Sequence, residues 1–265
     1  MPKGWPAPSH PLPACAILAR VFEKRKQRKA LAAPSLVNKH RATRIPRPVR
    51  RVAIQLLRHP VVAGFSLLYY GNFAQTLGNT RWLGISIIKN PLDLWIYQEI
   101  VHELRPDLII ETGTWIGGSA LYLASLCDLV DHGRVVTIDI VDYKGRPEHK
   151  RIEYITGSSV EPKVMDQVLE QAHASETVMV ILDSNHRKVH VLDELRLYAP
   201  LVTVGSYLIV EDTNVNGHPN YRRHGPGPWE AVEEFMREDS RFEIDRSREK
   251  FMLTFNPRGY LRRTN

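Results

Sequence analysis

Four short apolar segments of this sequence are each followed by residues with carboxylate side chains. The acids that follow them are Glu111, Asp139, Asp183 and the adjacent pair Glu211 and Asp212. Short, unalternated, β-branched segments are typical of central strands in a parallel sheet buried on both faces, where a carboxylate would be costly. We therefore expect the acids at the carboxyl edge of the sheet, where open α/β sheets bind ligands. Carboxylates gathered there predict a site for sugar hydroxyls, a metal ion or both.

A glycine-containing turn follows the first acid, Glu111. Gly113 and Gly117 lie in this turn, and Ser119 begins a predicted helix. Glycine lets a ligand approach the backbone, and a helix N-terminus offers free N–H groups. Asp139, 26 residues after Gly113, can accept hydrogen bonds from a ribose. The spacing departs from that of dinucleotide sites, and an acid suits a ligand with an ammonium group, such as S-adenosylmethionine. A purely structural turn is the alternative.

A second cluster combines Asp183 and His186 with Glu211 and Asp212. Like charges brought this close need a cation, and hard oxygen ligands suit Mg²⁺ or Ca²⁺. The metal would hold a substrate hydroxyl, and His186, with an ordinary pKa near ~6.5, would accept its proton. The alternative for His186 is local packing at a helix start. His190, one helical turn later, either flanks the site or lies on the solvated side, and we favour the solvated side.

Alternating strands and helices must position these residues. Strands are predicted at 108–111, 135–140, 152–156, 178–183 and 207–212, and helices at 94–104 and near 118–128, 160–172, 187–198 and 229–239. This alternation predicts an α/β fold with a Rossmann-like, doubly wound, mostly parallel sheet. Residues 242–244 and 251–255 are predicted to add a late antiparallel hairpin at one edge.

The first part of the chain differs in composition from the rest. Residues 1–60 hold 14 Lys or Arg and one acid, which leaves 22 basic and 28 acidic residues in the remainder. We predict a basic, partly disordered leader at 1–48, a helical accessory segment at 49–92 and a Rossmann-like domain at 93–265. The leader lacks the interleaved aromatic residues of a nucleic-acid platform, so no nucleic-acid partner is expected. A solvated tail is favoured, with weak contact to an anionic membrane as the alternative.

Two further features bear on location and on membranes. The two cysteines, Cys15 and Cys127, have no metal-ligand spacing and favour a reducing cytoplasm. Residues 61–70 are apolar for about half the length of a bilayer span. A core or interfacial helix is therefore expected rather than a span. This segment and Trp82 could form an interface, a hydrophobic acceptor site or part of the core, and we favour the core.

A long loop follows the acidic pair. Residues 213–228 form a 16-residue segment rich in Gly, Pro and Asn. Loops of this length inside a domain are usually functional or disordered. We predict a lid over the site that contacts the acceptor through Tyr221, Arg222 or His224.

Seven segments of the sequence match a known family in order. They are WIYQE at 95–99, PDLIIETG at 106–113, GGS at 117–119, LDSNH at 182–186, GSYLIVEDT at 205–213, PGPWEAV at 226–232 and REKFMLTFNPRGYL at 248–261. Together they resemble the cephalosporin hydroxylase and rhamnosyl O-methyltransferase family over roughly residues 80–262. The basic leader lies outside the resemblance.

The resemblance implies a Rossmann-like, S-adenosylmethionine-dependent enzyme that uses Mg²⁺ or another divalent cation. It implies methylation of a sugar or polyol hydroxyl on a glycolipid or secondary metabolite. Apart from the resemblance, we expect a cytoplasmic homo-oligomer, with peripheral contact to the inner membrane face through the basic leader as the alternative. The alternatives are a cephalosporin-type hydroxylation component and a non-catalytic S-adenosylmethionine-binding module. A hydroxylase would need iron, and the sequence shows no obvious triad of two histidines and a carboxylate.

The same resemblance implies roles for individual residues. By position it makes Asp183, Glu211 and Asp212 the metal ligands. Related macrolide sugar O-methyltransferases place a general base where this sequence has His186. Cofactor contacts are expected from Glu111, Gly113, Gly117, Ser119 and Asp139.

Overall fold

The computed structural model of the chain describes residues 47–265. All of the predicted leader except its last two residues lies outside the described residues, as does Cys15. The boundaries of the leader and of the accessory segment therefore stay predictions. Residues 55–265 form one compact unit.

A seven-stranded sheet is the centre of this unit. The strands of the chain are β1 Arg81–Trp82, β2 Ile85–Ser86, β3 Leu108–Thr112, β4 Arg134–Asp139, β5 Ile152–Thr156, β6 Val178–Leu182, β7 Tyr207–Val210, β8 Phe242–Ile244 and β9 Tyr260–Arg263. The order in the large sheet is β5-β4-β3-β6-β7-β9-β8, and β1 and β2 form a separate hairpin. Strands β3 to β7 pair in parallel, whereas β9 is antiparallel to both β7 and β8. The predicted fold class is confirmed.

Six α-helices accompany the strands within residues 47–265. They are α1 Arg47–Gly71, α2 Pro91–Leu104, α3 Gly118–Leu129, α4 Pro162–His173, α5 Lys188–Tyr198 and α6 Pro228–Glu238. Every residue of β3 is buried, and alternate side chains enter different cores. Leu108 and Ile110 pack with residues of α4, α5 and α6, and Ile109 packs with residues of α2 and α3. This two-sided burial explains why the central strands are apolar without alternation.

The prediction for residues 251–255 was wrong, because the last strand begins later, at Tyr260. The segment is instead a loop anchored by the buried carboxylate of Asp93. Thr254 Oγ1 donates to Asp93 Oδ1 at 2.5 Å, and the Phe255 backbone N–H donates to Asp93 Oδ2 at 2.8 Å. The Phe255 carbonyl accepts from the Asn214 N–H, at 3.1 Å. These bonds satisfy backbone groups that a strand ladder would otherwise use.

The segment before α2 is helical only in part. Helix α1 ends at Gly71, and a 3₁₀ turn at Leu77–Asn79 and the β1–β2 hairpin fill much of the stretch to α2. The expectation that residues 61–70 lie in the core was wrong for most of them, since Val61, Phe65 and Leu68 are more than half exposed. Trp82 does pack against the core, through Tyr122.

Candidate functional site

The register of the sheet brings the predicted site residues to one edge. Thr112 of β3 pairs with Ile138 of β4 and with Leu182 of β6, and Leu182 pairs with Val210 of β7. The residues that follow these four are Gly113, Asp139, Asp183 and Glu211. They therefore converge at the carboxyl edge, where the strand order reverses between β3 and β6.

The glycine turn allows the close approach of two strands. Gly113 has φ +88°, and a Cβ at this position would lie 2.0 Å from the carbonyl oxygen of Asp183. Its N–H donates to the carbonyl of Ile138 at 2.8 Å. Only glycine fits this backbone and this gap. Gly117 is the N-cap residue of α3, so the predicted turn leads into a helix N-terminus.

Asp139 is held by backbone donors from both sides. Its Oδ2 accepts from the Trp115 N–H at 2.7 Å, and its Oδ1 accepts from the Val141 N–H at 2.9 Å. The guanidinium of Arg146 lies 3.8 Å from Oδ2. The carboxylate is thus fixed at the wall of the cleft before any ligand arrives.

Two adjoining cavities form a cleft along this edge. The larger, about 430 Å³, lies over Asp139 and Ser158, and the smaller, about 270 Å³, lies over Ser119 and Asp212. Both are lined by Gly113, Asp139 and Ser184. A ligand with a nucleoside at one end and a charged group at the other could occupy both.

Glu111 lies beneath this cleft and is completely buried. Its Oε2 accepts from Thr137 Oγ1 at 2.7 Å, whereas its Oε1 has no hydrogen-bond partner among residues 47–265. Burial raises the pKa of Glu111, against the opposing charge of Lys89.

Asp183, His186 and Asp212 form the group best placed to hold a metal in the described part of the chain, with ligand atoms within 4.8 Å of one another. His186 Nε2 is 3.3 Å from Asp183 Oδ1, and its Nδ1 is 3.4 Å from Asp212 Oδ2. Burial alone would lower the pKa of His186, but the charges of Asp212 and Asp183 outweigh it and raise the pKa to about 9. The cluster therefore attracts positive charge strongly.

Glu211 points to a different partner, Lys89. The Lys89 Nζ is 2.5 Å from both Asp183 Oδ2 and Glu211 Oε1, and the Lys89 side chain is 5% exposed. Tyr97 also donates to Glu211 Oε1, at 2.8 Å. Burial and the charge of Asp183 raise the pKa of Glu211 to about 8 despite Lys89. Lys89 thus joins two of the three predicted metal ligands.

Sequence reasoning missed Lys89, Tyr97 and Asn256. Asn256 accepts from the Asp212 N–H at 3.1 Å and donates to the Tyr97 hydroxyl at 3.0 Å. The bond from the Asp212 N–H stabilises the backbone at Asp212, which has the unusual φ of +52°. The sequence offered one signal for Lys89, since it is an isolated lysine between apolar residues 87–88 and the N-cap of a helix. It could not indicate the partners of Lys89, which lie far along the chain.

The loop 213–228 does reach the site, through two of the three residues predicted to contact the acceptor. The Tyr221 ring packs edge-to-face on Tyr70 with centroids 5.0 Å apart, and the Tyr70 hydroxyl donates to Asp212 Oδ1 at 3.4 Å. His224 Nε2 is 2.9 Å from the carbonyl oxygen of His186. Arg222 is exposed.

The expectation that His190 faces solvent was wrong. Its ring lines the larger cavity. His190 Nε2 lies 3.1 Å from Ser159 Oγ and 3.5 Å from Glu194 Oε1. The buried carboxylate of Glu194 draws it inward.

Comparison with known proteins places the chain in a family. Residues 74–264 match the family described as Rhamnosyl O-methyltransferase/CmcI. The chain belongs to this family. It is similar to a rhamnosyl O-methyltransferase of Mycobacterium tuberculosis (strain ATCC 25618 / H37Rv), with 38% identity over 227 residues, which are 81% of this chain and 91% of that protein. That of Mycobacterium leprae (strain TN) is 41% identical over 200 residues, 73% of this chain and 86% of that protein.

Solved structures of CmcI share the fold of this rhamnosyl O-methyltransferase/CmcI family member. An apo structure of its N160 form has a TM-score of 0.57 and 21% identity, covering 71% of this chain and 77% of that one. A structure of the D160 form with Mg and SAM has a TM-score of 0.55 and 20% identity, covering 71% and 78%. The family match and the rhamnosyl O-methyltransferase relatives confirm the predicted family and the predicted O-methyltransferase activity.

Proposed function

We propose that the protein transfers the methyl group of S-adenosylmethionine to a hydroxyl of a rhamnosyl or related sugar, with the help of a divalent cation. The observation that carries this proposal is the continuous cleft from Asp139 past Gly113 to the cluster of Asp183, His186 and Asp212. A nucleoside site thus opens directly onto a cation site. The rhamnosyl O-methyltransferases among its relatives support the choice of acceptor.

The residues of the cleft fit the proposed methyl donor. Gly113 leaves the space that a Cβ would fill, and Asp139 is pre-oriented for a ribose. Glu111 keeps a buried oxygen without a partner among the described residues. That negative charge favours a ligand with an ammonium or sulfonium centre nearby. We assign cofactor contacts to these three residues together with Gly117 and Ser119.

The acidic cluster fits a hard divalent cation. We assign Asp183 and Asp212 as its ligands, and Glu211 as a third that must exchange its contact with Lys89 for the cation, since carboxylate oxygens suit Mg²⁺. When bound, such a cation lowers the pKa of a coordinated hydroxyl and fixes its position. The described cluster holds a single histidine, whereas an iron site of the two-histidine, one-carboxylate type needs two. This disfavours the hydroxylase alternative.

In this proposal His186 accepts the proton of the acceptor hydroxyl. Asp183 and Asp212 lie against its two ring nitrogens and orient the ring. A cation bound by these two carboxylates would neutralise their charges. The pKa of His186 would then fall, and one ring nitrogen would be free to act as base. Displacement at a methyl sulfonium carbon then depends mainly on alignment, which the rigid strand ends provide.

Calorimetric titration with S-adenosylmethionine, followed by a methyl-transfer assay on a soluble rhamnoside, tests the proposal. We expect wild-type binding, loss of binding in Asp139→Ala, and turnover that needs Mg²⁺ and stops with chelator. His186→Ala should keep binding of both cofactor and Mg²⁺ but lose turnover. No binding of the methyl donor, or turnover unaffected by chelator, would overturn the corresponding half of the proposal.

Location and assembly belong to the same proposal. We infer a cytoplasmic enzyme, supported by the free and buried Cys127, and a homo-oligomer. Sedimentation of the purified chain measures the oligomeric state directly, and a monomer at micromolar concentration would contradict the homo-oligomer.

A further inference from the structure

Helix α1 carries an apolar stripe that faces away from the rest of the unit. Leu57, Val61, Phe65 and Leu68 follow one another at helical spacing, and their exposed fractions are 58%, 61%, 53% and 66%. Large apolar side chains exposed side by side on a helix mark an interaction surface. We refer to these four residues as the α1 stripe.

The opposite side of the same helix is fixed to the site. Ser66 is 2% exposed, and its hydroxyl accepts from Asn220 Nδ2 at 3.0 Å. The Tyr70 ring packs on Phe255 with centroids 5.1 Å apart, and its hydroxyl reaches Asp212. Whatever contacts the α1 stripe is therefore held within a few helical turns of the metal cluster.

The charge of the surrounding sequence identifies the kind of partner. Between Glu23 and Asp93 the chain contains no acidic residue and 13 Lys or Arg residues besides the buried Lys89. Such a composition attracts an anionic surface. It disfavours a second copy of the chain packed stripe to stripe, because that arrangement would bring two basic segments together. Apolar residues beside basic ones are typical of helices that lie in the interface of an anionic bilayer.

We propose that the α1 stripe docks the protein on an anionic phospholipid bilayer. Residues 52–71 are long and apolar enough to cross a membrane, but crossing would break the buried contacts of Ser66 and Tyr70. The helix therefore lies in the interface with only the stripe inserted. Resting on the proposed function, this placement makes the acceptor a glycolipid whose sugar reaches Asp212 from the membrane surface beside Tyr70.

Vesicle flotation of the full chain tests the proposal. The probes are vesicles of equal parts phosphatidylglycerol and phosphatidylcholine, and vesicles of phosphatidylcholine alone. The test variant is Val61→Ser/Phe65→Ser/Leu68→Ser. The control variant is Leu129→Ser/Val189→Ser/Val204→Ser, which removes three apolar side chains outside α1 that are also more than half exposed. We expect salt-sensitive binding to the anionic vesicles, reduced about tenfold or more in the test variant and unchanged in the control.

Each contrary result has a definite meaning. Equal binding by wild type and test variant, or no wild-type binding, overturns the proposal. Gel filtration adds a second reading: an oligomer that the test variant dissociates, without vesicle binding, assigns the stripe to a second copy and also overturns it. A Phe65→Trp variant quenched by lipids brominated near the bilayer centre would indicate a span instead of an interfacial helix.

The same preparations separate this proposal from the proposed function. Each variant is also titrated with S-adenosylmethionine and assayed on a soluble rhamnoside. Intact binding and turnover together with lost flotation in the test variant support docking. Intact binding and turnover in a wild-type protein that does not float overturn docking alone, whereas failure on the rhamnoside concerns the proposed function.

Discussion

The two ends of the cleft are built in different ways. At the cofactor end, backbone groups of neighbouring strands and the glycine turn fix the geometry, as in the bond from Gly113 N–H to the Ile138 carbonyl. At the acceptor end, side chains join distant segments, as when Asn220 of the loop 213–228 bonds Ser66 of α1. Backbone ladders permit little variation, whereas side-chain contacts can be exchanged singly. The difference suggests a fixed cofactor site and an adjustable acceptor site.

The proposed metal cluster of Asp183, His186 and Asp212 lies where the two ends meet, and its removal should have the largest effect. We expect Asp212→Asn to lower turnover about 100-fold or more, since Lewis-acid stabilisation is worth several kcal/mol. Asn tolerates the positive φ of this position, so folding should be preserved. Steady-state kinetics with Mg²⁺ measures the loss.

The exposed acid Asp142 provides the control for that substitution. Asp142→Asn should leave turnover unchanged, and S-adenosylmethionine affinity should stay close to wild type in both variants. A fully active Asp212→Asn enzyme would remove Asp212 from the metal site.

The contrast between backbone contacts and side-chain contacts also explains which features could be predicted from the sequence. Strands such as β3 and β6 carry their own signal in unalternated apolar residues, and the acids after them follow from the topology. The anchoring of residues 251–255 by Asp93 could not be predicted, because the two segments are more than 150 residues apart in sequence. Lys89 was missed for the same reason, and the exposure of α1 was missed because apolar composition alone cannot separate core from surface.

At the cofactor end, Gly113→Ala should have the largest effect on ligand binding. Its Cβ would lie 2.0 Å from the Asp183 carbonyl oxygen, so strands β3 and β6 would have to separate. We expect S-adenosylmethionine affinity to fall about tenfold or more, because each ~1.4 kcal/mol of strain costs a factor of ten. Calorimetric titration measures it.

Gly145→Ala is the matched control for Gly113→Ala. Gly145 also has a positive φ, +82°, but nothing lies within 4 Å of its added Cβ. It should show only the backbone cost of about 1–2 kcal/mol in the free energy of unfolding, with affinity retained. Equal affinity losses in the two variants would mean that the positive φ of the glycine, and not the narrow gap between strands β3 and β6, determines the loss of affinity.

Lys89→Met tests the charge pairing within the acidic cluster, where the two ends meet. The substitution leaves the buried carboxylates of Asp183 and Glu211 without their shared partner, a change that typically costs about 3–5 kcal/mol. We expect a lower midpoint of thermal unfolding, and a larger stabilisation by Mg²⁺ than in wild type because the same carboxylates are then free for the cation. Calorimetry with Mg²⁺ and with chelator checks both.

The more exposed pair of Lys250 and Glu99 supplies the comparison for Lys89→Met. Surface pairs contribute about 0–1 kcal/mol, so Lys250→Met should shift the unfolding midpoint little. If Lys89→Met unfolds at the same temperature as Lys250→Met, the buried pairing is not what stabilises the site.

The smallest effects should come from single aromatic residues, and they should separate the two ends most cleanly. Tyr221 packs on Tyr70 beside the metal cluster and is 59% exposed, whereas Tyr143 lines the larger cofactor cavity. Losing one such contact costs about 0.5–1.5 kcal/mol, or roughly two- to tenfold in affinity. Tyr221→Ala should therefore raise the KM for the rhamnoside and leave S-adenosylmethionine affinity unchanged, while Tyr143→Ala should do the reverse. If both variants weaken both ligands, the two ends of the cleft are coupled and do not act as separate halves.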